Sequence, residues 1–371
     1  MVNIVRIDTA EADFEKRIES LLNWEVRADS TVETRVNTII KQVRSEGDSA
    51  LRVLTAEYDD FSVSSMEELI ISSDQCREAY ESLIDSDKEA LDEASARIRF
   101  FHETQTDKSF EIEDEHGNSL GYRVTAIQHV GVYVPGGQAA YPSTVLMTTI
   151  PARIAGVREI TAVVPTPKGE CNQHVLASMH LAEVDHVYAI GGAQAIAALA
   201  YGTETIKAVD KIVGPGGAFV AAAKRLVHGP VGIDAIAGPT EILIVADGTV
   251  PARWTALDLC AQAEHDATAQ AILISPHKPH IEAVRLEIEA LVPGLERSEI
   301  IERSFASRGA FITCRDLEEA VTLVNLFAPE HLHLAVDDPE VLLPLVQPVS
   351  YTHLRAHETR HDLVCRLLLE K

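Results

Sequence analysis

The chain has 371 residues, 46% hydrophobic and 24% charged, which is room for two domains with buried cores. A formal net charge of −25 repels phosphate backbones and argues against nucleic acid as a partner. No apolar run is long enough to span a bilayer, no secretory signal opens the chain, and five scattered cysteines lack CxxC spacing, so a cytoplasmic protein with reduced thiols is expected and no membrane contact.

In chain order, the first hundred residues read as helices. Phe14, Ile18, Leu21 and Leu22 share one face. Ser30 and Glu33 form a capping box ahead of the stripe Val32, Val36, Ile39, Ile40 and Val43. A further helix runs through Leu91, Ala94, Ile98 and Phe101. From about residue 125, short β-branched runs alternate with helical stretches. Strands are predicted at 129–134, 160–164, 187–190, 211–213, 242–245, 271–274, 310–313 and 332–336. This alternation predicts an α/β protein with parallel sheets in two halves.

Glycines gather beside these strands at Pro135-Gly136-Gly137, Gly191-Gly192, Gly214-Pro215-Gly216-Gly217 and Gly238-Pro239. Such turns let backbone approach a polar or phosphate-bearing ligand, and they are equally what tight αβ turns require. None completes G-x-G-x-x-G, because Phe219 occupies the last position. Residues 251–265 read as a helix whose inward stripe is Trp254, Leu257 and Ala261, with His265 on it and Gln262 and Asp258 at its edge. A His and a Gln turned inward are either a metal pair or satisfied core groups. Glu330 and His331 stand in a helix-to-strand connection, where a carboxylate and an imidazole can divide acid–base work or form an exposed polar turn. Thr240 brings a hydroxyl to the start of the strand before the Gln262 helix.

Taken together, the strings VGVYVPGGQAAYPSTVLM (130–147), GGAQAIAALAYGTETI (191–206), VDKIVGPGG (209–217), IDAIAGPTEILIVAD (233–247), CAQAEHDATAQAILI (260–274) and APEHLHL (328–334) resemble the histidinol dehydrogenase family. The resemblance implies oxidation of L-histidinol to L-histidine through the aldehyde, with NAD and Zn2+ as cofactors, in a homodimer with two Rossmann-like halves. It implies Gln262 and His265 as zinc ligands, Glu330 and His331 as the catalytic pair, and Thr240, Gln262, His265 and His331 facing substrate. Tyr133, Gln194 and Gly217 match cofactor positions; Gly217 replaces an asparagine of the family and removes a side-chain hydrogen bond. Other readings are a related dehydrogenase of another small polar alcohol, or a non-catalytic nucleotide-binding module.

The expected division is a helical arm over 1–25, a first Rossmann-like domain over 26–133 and 241–348, and a second over 134–240. From about Val349 the family pattern stops, and residues 349–371 resemble a translated vector or adapter sequence. His353, His357 and His361 there fall one helical turn apart, and are set aside with the tail. In the family, two more zinc ligands, an Asp and a His, lie beyond this point, so the chain as written is expected to be inactive or nearly so.

Overall fold

The computed structural model describes residues 2–22, 30–136, 141–236 and 238–347, and the backbone of strands at 352–356 and 364–367. The elements begin β1 (Val5–Asp8), α1 (Phe14–Leu22), α2 (Ser30–Glu46), α3 (Asp48–Tyr58), β2 (Ile70–Ile71), α4 (Ser73–Glu81) and α5 (Asp85–Glu103). A hairpin of β3 (Phe110–Glu113) and β4 (Ser119–Tyr122) leads into β5 (His129–Tyr133), α6 (Pro142–Ile154), β6 (Glu159–Val163), α7 (Gln173–Leu181) and β7 (His186–Tyr188). Next come α8 (Gly192–Tyr201), β8 (Lys211–Val213), α9 (Ala218–Val227), β9 (Gly232–Ile233), β10 (Glu241–Ala246), α10 (Ala252–Ala263) and β11 (Gln270–Ser275). The chain continues with α11 (Lys278–Leu291), α12 (Ser298–Arg308), β12 (Ala310–Thr313), α13 (Leu317–Phe327), β13 (His331–Ala335), α14 (Pro339–Leu342), β14 (Thr352–Ala356) and β15 (Val364–Leu367).

Two units result: Arg27–Ala237, and Met1–Val26 with Gly238–Lys371. The first holds a sheet in the order β2-β7-β6-β5-β8-β9, parallel except for β2. All five residues of β5 are buried, because helices cover both faces. Val130, Val132, Ile160 and Ala162 pack with Val145, Leu146, Ile150 and Met179 on one face. Tyr133, Val163, Tyr188 and Ile212 pack with Val36, Ile39, Ile196 and Leu199 on the other.

The second unit holds a sheet in the order β1-β12-β11-β10-β13-β14-β15. Leu243, Ile272, Ile312, Leu332 and Leu334 meet Val321, Val324 and Ile18 on one face. Ile242, Ile244, Leu273 and Phe311 meet Ala256, Leu259, Cys260, Val284 and Phe305 on the other. Among the described residues, no helix is long and apolar enough to cross a membrane.

The α/β class and the eight predicted strands are all present, within a residue or two at their ends. The domain boundaries shift. Residues 27–133 fall in one unit with 134–237 rather than with the strands from residue 241 on: β5 pairs with β6 and β8, and Tyr133 packs against Val36 and Ile39 of α2. The N-terminal arm is not purely helical: β1 pairs with the outer edge of β12, and only Ile7 of its four residues is buried. Four residues with one buried side chain leave too little alternation to read as a strand. The segment set apart from residue 349 extends the sheet: β14 runs parallel to β13 and β15 antiparallel to β14. The outer edge of β13 offers unpaired peptide groups that any extended segment satisfies. His353 accordingly lies on a strand rather than a helix, and His357 and His361 fall outside the described residues. So do Gly137 and the side chain of Ser30.

Candidate active site

Two loops and a helix end at the amino-terminal edge of the β10/β13 sheet meet in one constellation. Thr240 immediately precedes β10, Glu330 immediately precedes β13, and Gln262 lies at the last turn of α10. The Thr240 hydroxyl donates to Glu330 Oε2 at 2.9 Å, and the Glu241 N–H donates to the same oxygen at 3.2 Å. The Gln262 amide donates to the Thr240 hydroxyl. Among the described residues these contacts fall on Oε2, and Oε1 is the oxygen left to address a water or substrate.

His331, the first residue of β13, places Nδ1 at 3.0 Å from the Glu241 carbonyl oxygen and 3.5 Å from Glu330 Oε2. A carbonyl oxygen only accepts, so Nδ1 carries the proton. In the neutral ring Nε2 then carries the basic lone pair. Glu241 therefore sets both members of the pair from one residue, through its N–H and its C=O. Its side chain is held in turn by the buried Arg308, at 3.2 Å, whose other nitrogen donates to the Thr268 carbonyl at 3.2 Å.

The electrostatics follow. Burial alone would raise the Glu330 carboxyl, but His331, the Thr240 hydroxyl and the Glu241 N–H together outweigh it and hold it below the ordinary value. Burial alone would lower the His331 imidazole, but the Glu330 carboxylate and the Glu241 carbonyl leave it above the ordinary 6.5. The histidine's share of stability is present below that ordinary value and lost as pH rises through its raised pKa. The carboxylate's share is present above the ordinary carboxylate range and lost as pH falls through its lowered pKa. We expect the His331 Cε1 proton to titrate above 6.5 by NMR, and to move down in Glu330→Gln. A His331 titration at or below 6.5, unmoved by the substitution, contradicts the pairing.

The α10 stripe is a correction. Its buried residues are Thr255, Ala256, Leu259, Cys260 and Ala263, while Trp254 is 48% and Leu257 40% exposed. The stripe that meets the sheet runs through Thr255–Ala256, Leu259–Cys260 and Ala263, so Trp254, Leu257 and Ala261 face out. His265 lies two residues beyond the helix end and is exposed, its N–H donating to the Gln262 carbonyl at 3.2 Å. The structure thus brings Thr240, Gln262, Glu330 and His331 together and leaves His265 on the adjoining turn. The donors offered, an amide oxygen and an imidazole, suit zinc but are half of a tetrahedral set. Among the described residues no cluster of three His, Cys, Asp or Glu is placed to hold a metal.

Two positioning pairs escaped the sequence reading. His333 Nδ1 lies 3.2 Å from Asp258 Oδ2, tying β13 to α10 one turn before Gln262. Arg308 and its neighbours grip the turn that bears His265: Ser307 donates to the Ala267 carbonyl and Ser304 to the Ala269 carbonyl, both at 2.9 Å. Partners 35 to 75 residues apart leave no local signal.

In the other unit, the glycine turns lie at the carboxyl ends of β5, β7 and β8. Tyr133 ends β5, and its buried hydroxyl accepts from Gly192 N–H at 3.1 Å. Gln194, on the first turn of α8, is 1% exposed. Gly217 caps α9 with φ −67°, and a β-carbon there would meet nothing within 4 Å. The fourth glycine pair, Gly238-Pro239, differs: it leads into β10 at an amino end and belongs with Thr240.

Parallel α/β sheets with a carboxylate–imidazole pair at a strand edge are the frame of an α/β enzyme that moves protons. The chain belongs to the histidinol dehydrogenase family, whose sequence model matches residues 23–357. It is 48% identical over 354 residues to a histidinol dehydrogenase of Pseudomonas fluorescens, covering 95% of this chain and 80% of that protein. It is 50% identical over 340 residues to one of Nitrosomonas europaea, covering 92% and 79%. The crystal structure of histidinol dehydrogenase from Elizabethkingia anophelis superposes with a TM-score of 0.87 at 31% identity, covering 95% of this chain and 80% of that one.

Proposed function

We propose that the chain oxidises L-histidinol to L-histidine through the aldehyde in two NAD-dependent steps, with His331 and Glu330 as the proton-transfer residues. The observation that carries this reading is the Gln262–Thr240–Glu330–His331 constellation in a chain of this family. In the first oxidation, hydride leaves the carbinol carbon for NAD and the hydroxyl proton passes to His331 Nε2. In the second, Glu330 Oε1 takes a proton from water as the water oxygen attacks the aldehyde carbon; the hydrate then gives a hydride to a second NAD and its hydroxyl proton to His331, which has released the first to solvent. Zn2+ supplies Lewis-acid polarisation of the substrate oxygen when bound. Gln262 and His265 would hold it, with Thr240 and His331 facing the substrate beside them.

Tyr133, Gln194 and Gly217 are proposed to contact NAD. Gly217→Asn, which space and backbone both permit, is expected to tighten NADH binding about threefold to tenfold, the worth of one hydrogen bond. An unchanged dissociation constant removes Gly217 from the cofactor site.

A homodimer fits the apolar side chains that β3, β4 and their surroundings expose, among them Phe100, Phe110, Ile112, Leu120 and Tyr122. The free Cys76, Cys171, Cys260 and Cys314 accord with a cytoplasmic location, and the charge of −25 with a small-molecule substrate rather than nucleic acid.

The reading is tested by incubating the chain with L-histidinol, NAD and excess zinc and following NADH and histidine. Formation of histidine with two NADH each is expected. Faster oxidation of another amino alcohol than of L-histidinol overturns it.

A further inference from the structure

We propose that Lys224 and Asp234 are positioning residues for the dinucleotide, holding the Gly214–Gly217 turn in the shape against which the cofactor docks; this rests on the NAD reading above. The Asp234 carboxylate accepts from the Gly214 N–H at 2.8 Å and, through its other oxygen, from the Lys224 ammonium. The same ammonium donates to the Gly214 carbonyl at 3.0 Å. One ion pair therefore grips both peptide groups of a single residue.

That residue is the tightest point of the turn. Gly214 has φ +116°, and a β-carbon there would stand 2.2 Å from the Tyr133 carbonyl oxygen. The clamp thus keeps the turn after β8 pressed against Tyr133, a proposed cofactor position at the end of β5. Gly217, the third residue beyond, inherits its place from that contact.

Stability does not account for the pair. Lys224 is only 4% exposed while the Asp234 side chain is 35% exposed, so a water-screened partner returns at most what withdrawing the ammonium costs. An apolar pair of like volume fills such a space as well or better. It cannot satisfy the N–H and C=O of Gly214, which would then turn towards water and carry the loop off Tyr133.

The test is equilibrium titration of the full chain with NADH, read by nucleotide fluorescence, beside a thermal melt. The neutral double variant Lys224→Met with Asp234→Asn is expected to melt near the wild-type temperature and to bind NADH about fivefold more weakly or worse. A purely structural role moves the melt and leaves the affinity of the folded protein alone. Should the double variant not fold, Asp234→Asn alone decides by affinity only: it retains an acceptor for the Gly214 N–H, loses the charge that holds Lys224, and is expected to melt lower because the buried ammonium is left without its counter-charge. An unchanged NADH affinity in the folded variant overturns the clamp while the cofactor reading stands. Failure of the wild-type chain to bind NADH overturns both.

Discussion

Glu330→Gln is expected to separate the two oxidations: aldehyde oxidation falls by about a hundredfold to ten-thousandfold, and alcohol oxidation falls far less. The amide keeps an oxygen for the Thr240 hydroxyl and the Glu241 N–H, which lie 2.9 and 3.2 Å from the present carboxylate, so the local geometry survives. What disappears is the base that takes a proton from water. The histidine loses its raised pKa as well, since the carboxylate is what lifts it. A neutral imidazole is the form that accepts the hydroxyl proton, so the first step is preserved near neutral pH. The yield should change from two NADH per histidinol towards one, with aldehyde trapped by a carbonyl reagent. Equal loss in both steps would show that one residue serves both, and the proposed division of labour would fall.

Gly214→Ala is expected to abolish measurable NADH binding and lower the melting temperature. Alanine at φ +116° is strained by about 1–3 kcal/mol before any contact is counted. Its β-carbon would also meet backbone, the Tyr133 carbonyl oxygen at 2.2 Å, which cannot rotate aside as a side chain does. A total of about 2–4 kcal/mol corresponds to a fall of about 5–15 °C in a unit of this size. Relief of the clash must part β8 from β5 where Tyr133 ends. Gly217→Asn serves as the contrast: three residues along, with open space and an ordinary φ, a larger side chain is expected to improve binding. Parallel effects from the two substitutions would mean that the turn is plastic, and steric argument would not then separate them.

Much of the fold was legible because the strands are covered on both faces. A strand such as Ile242–Val245 must be apolar throughout, and that run of β-branched residues is a local fact of the sequence. The pair Glu330–His331 was legible for a similar reason, standing between a helical period and a strand. The short edge strand at Val5–Asp8 was not, since its partner lies some three hundred residues away. The α10 face was misread because apolar residues occur on two sides of that helix, Trp254, Leu257 and Ala261 on one and Ala256, Leu259, Cys260 and Ala263 on the other, and only the sheet decides which is covered.

By itself the sequence determined the alternating α/β class, the positions of the central strands, the glycine turns and the residue types able to move protons, all of which depend on neighbours a few positions apart. Only the tertiary structure decided that Thr240, Gln262 and Glu330 join through hydrogen bonds, that the Glu241 peptide sets the tautomer of His331, and that Lys224 and Asp234 hold Gly214. Those contacts bridge ten to ninety residues, and hydrogen-bond direction is a property of three-dimensional placement that no spacing encodes.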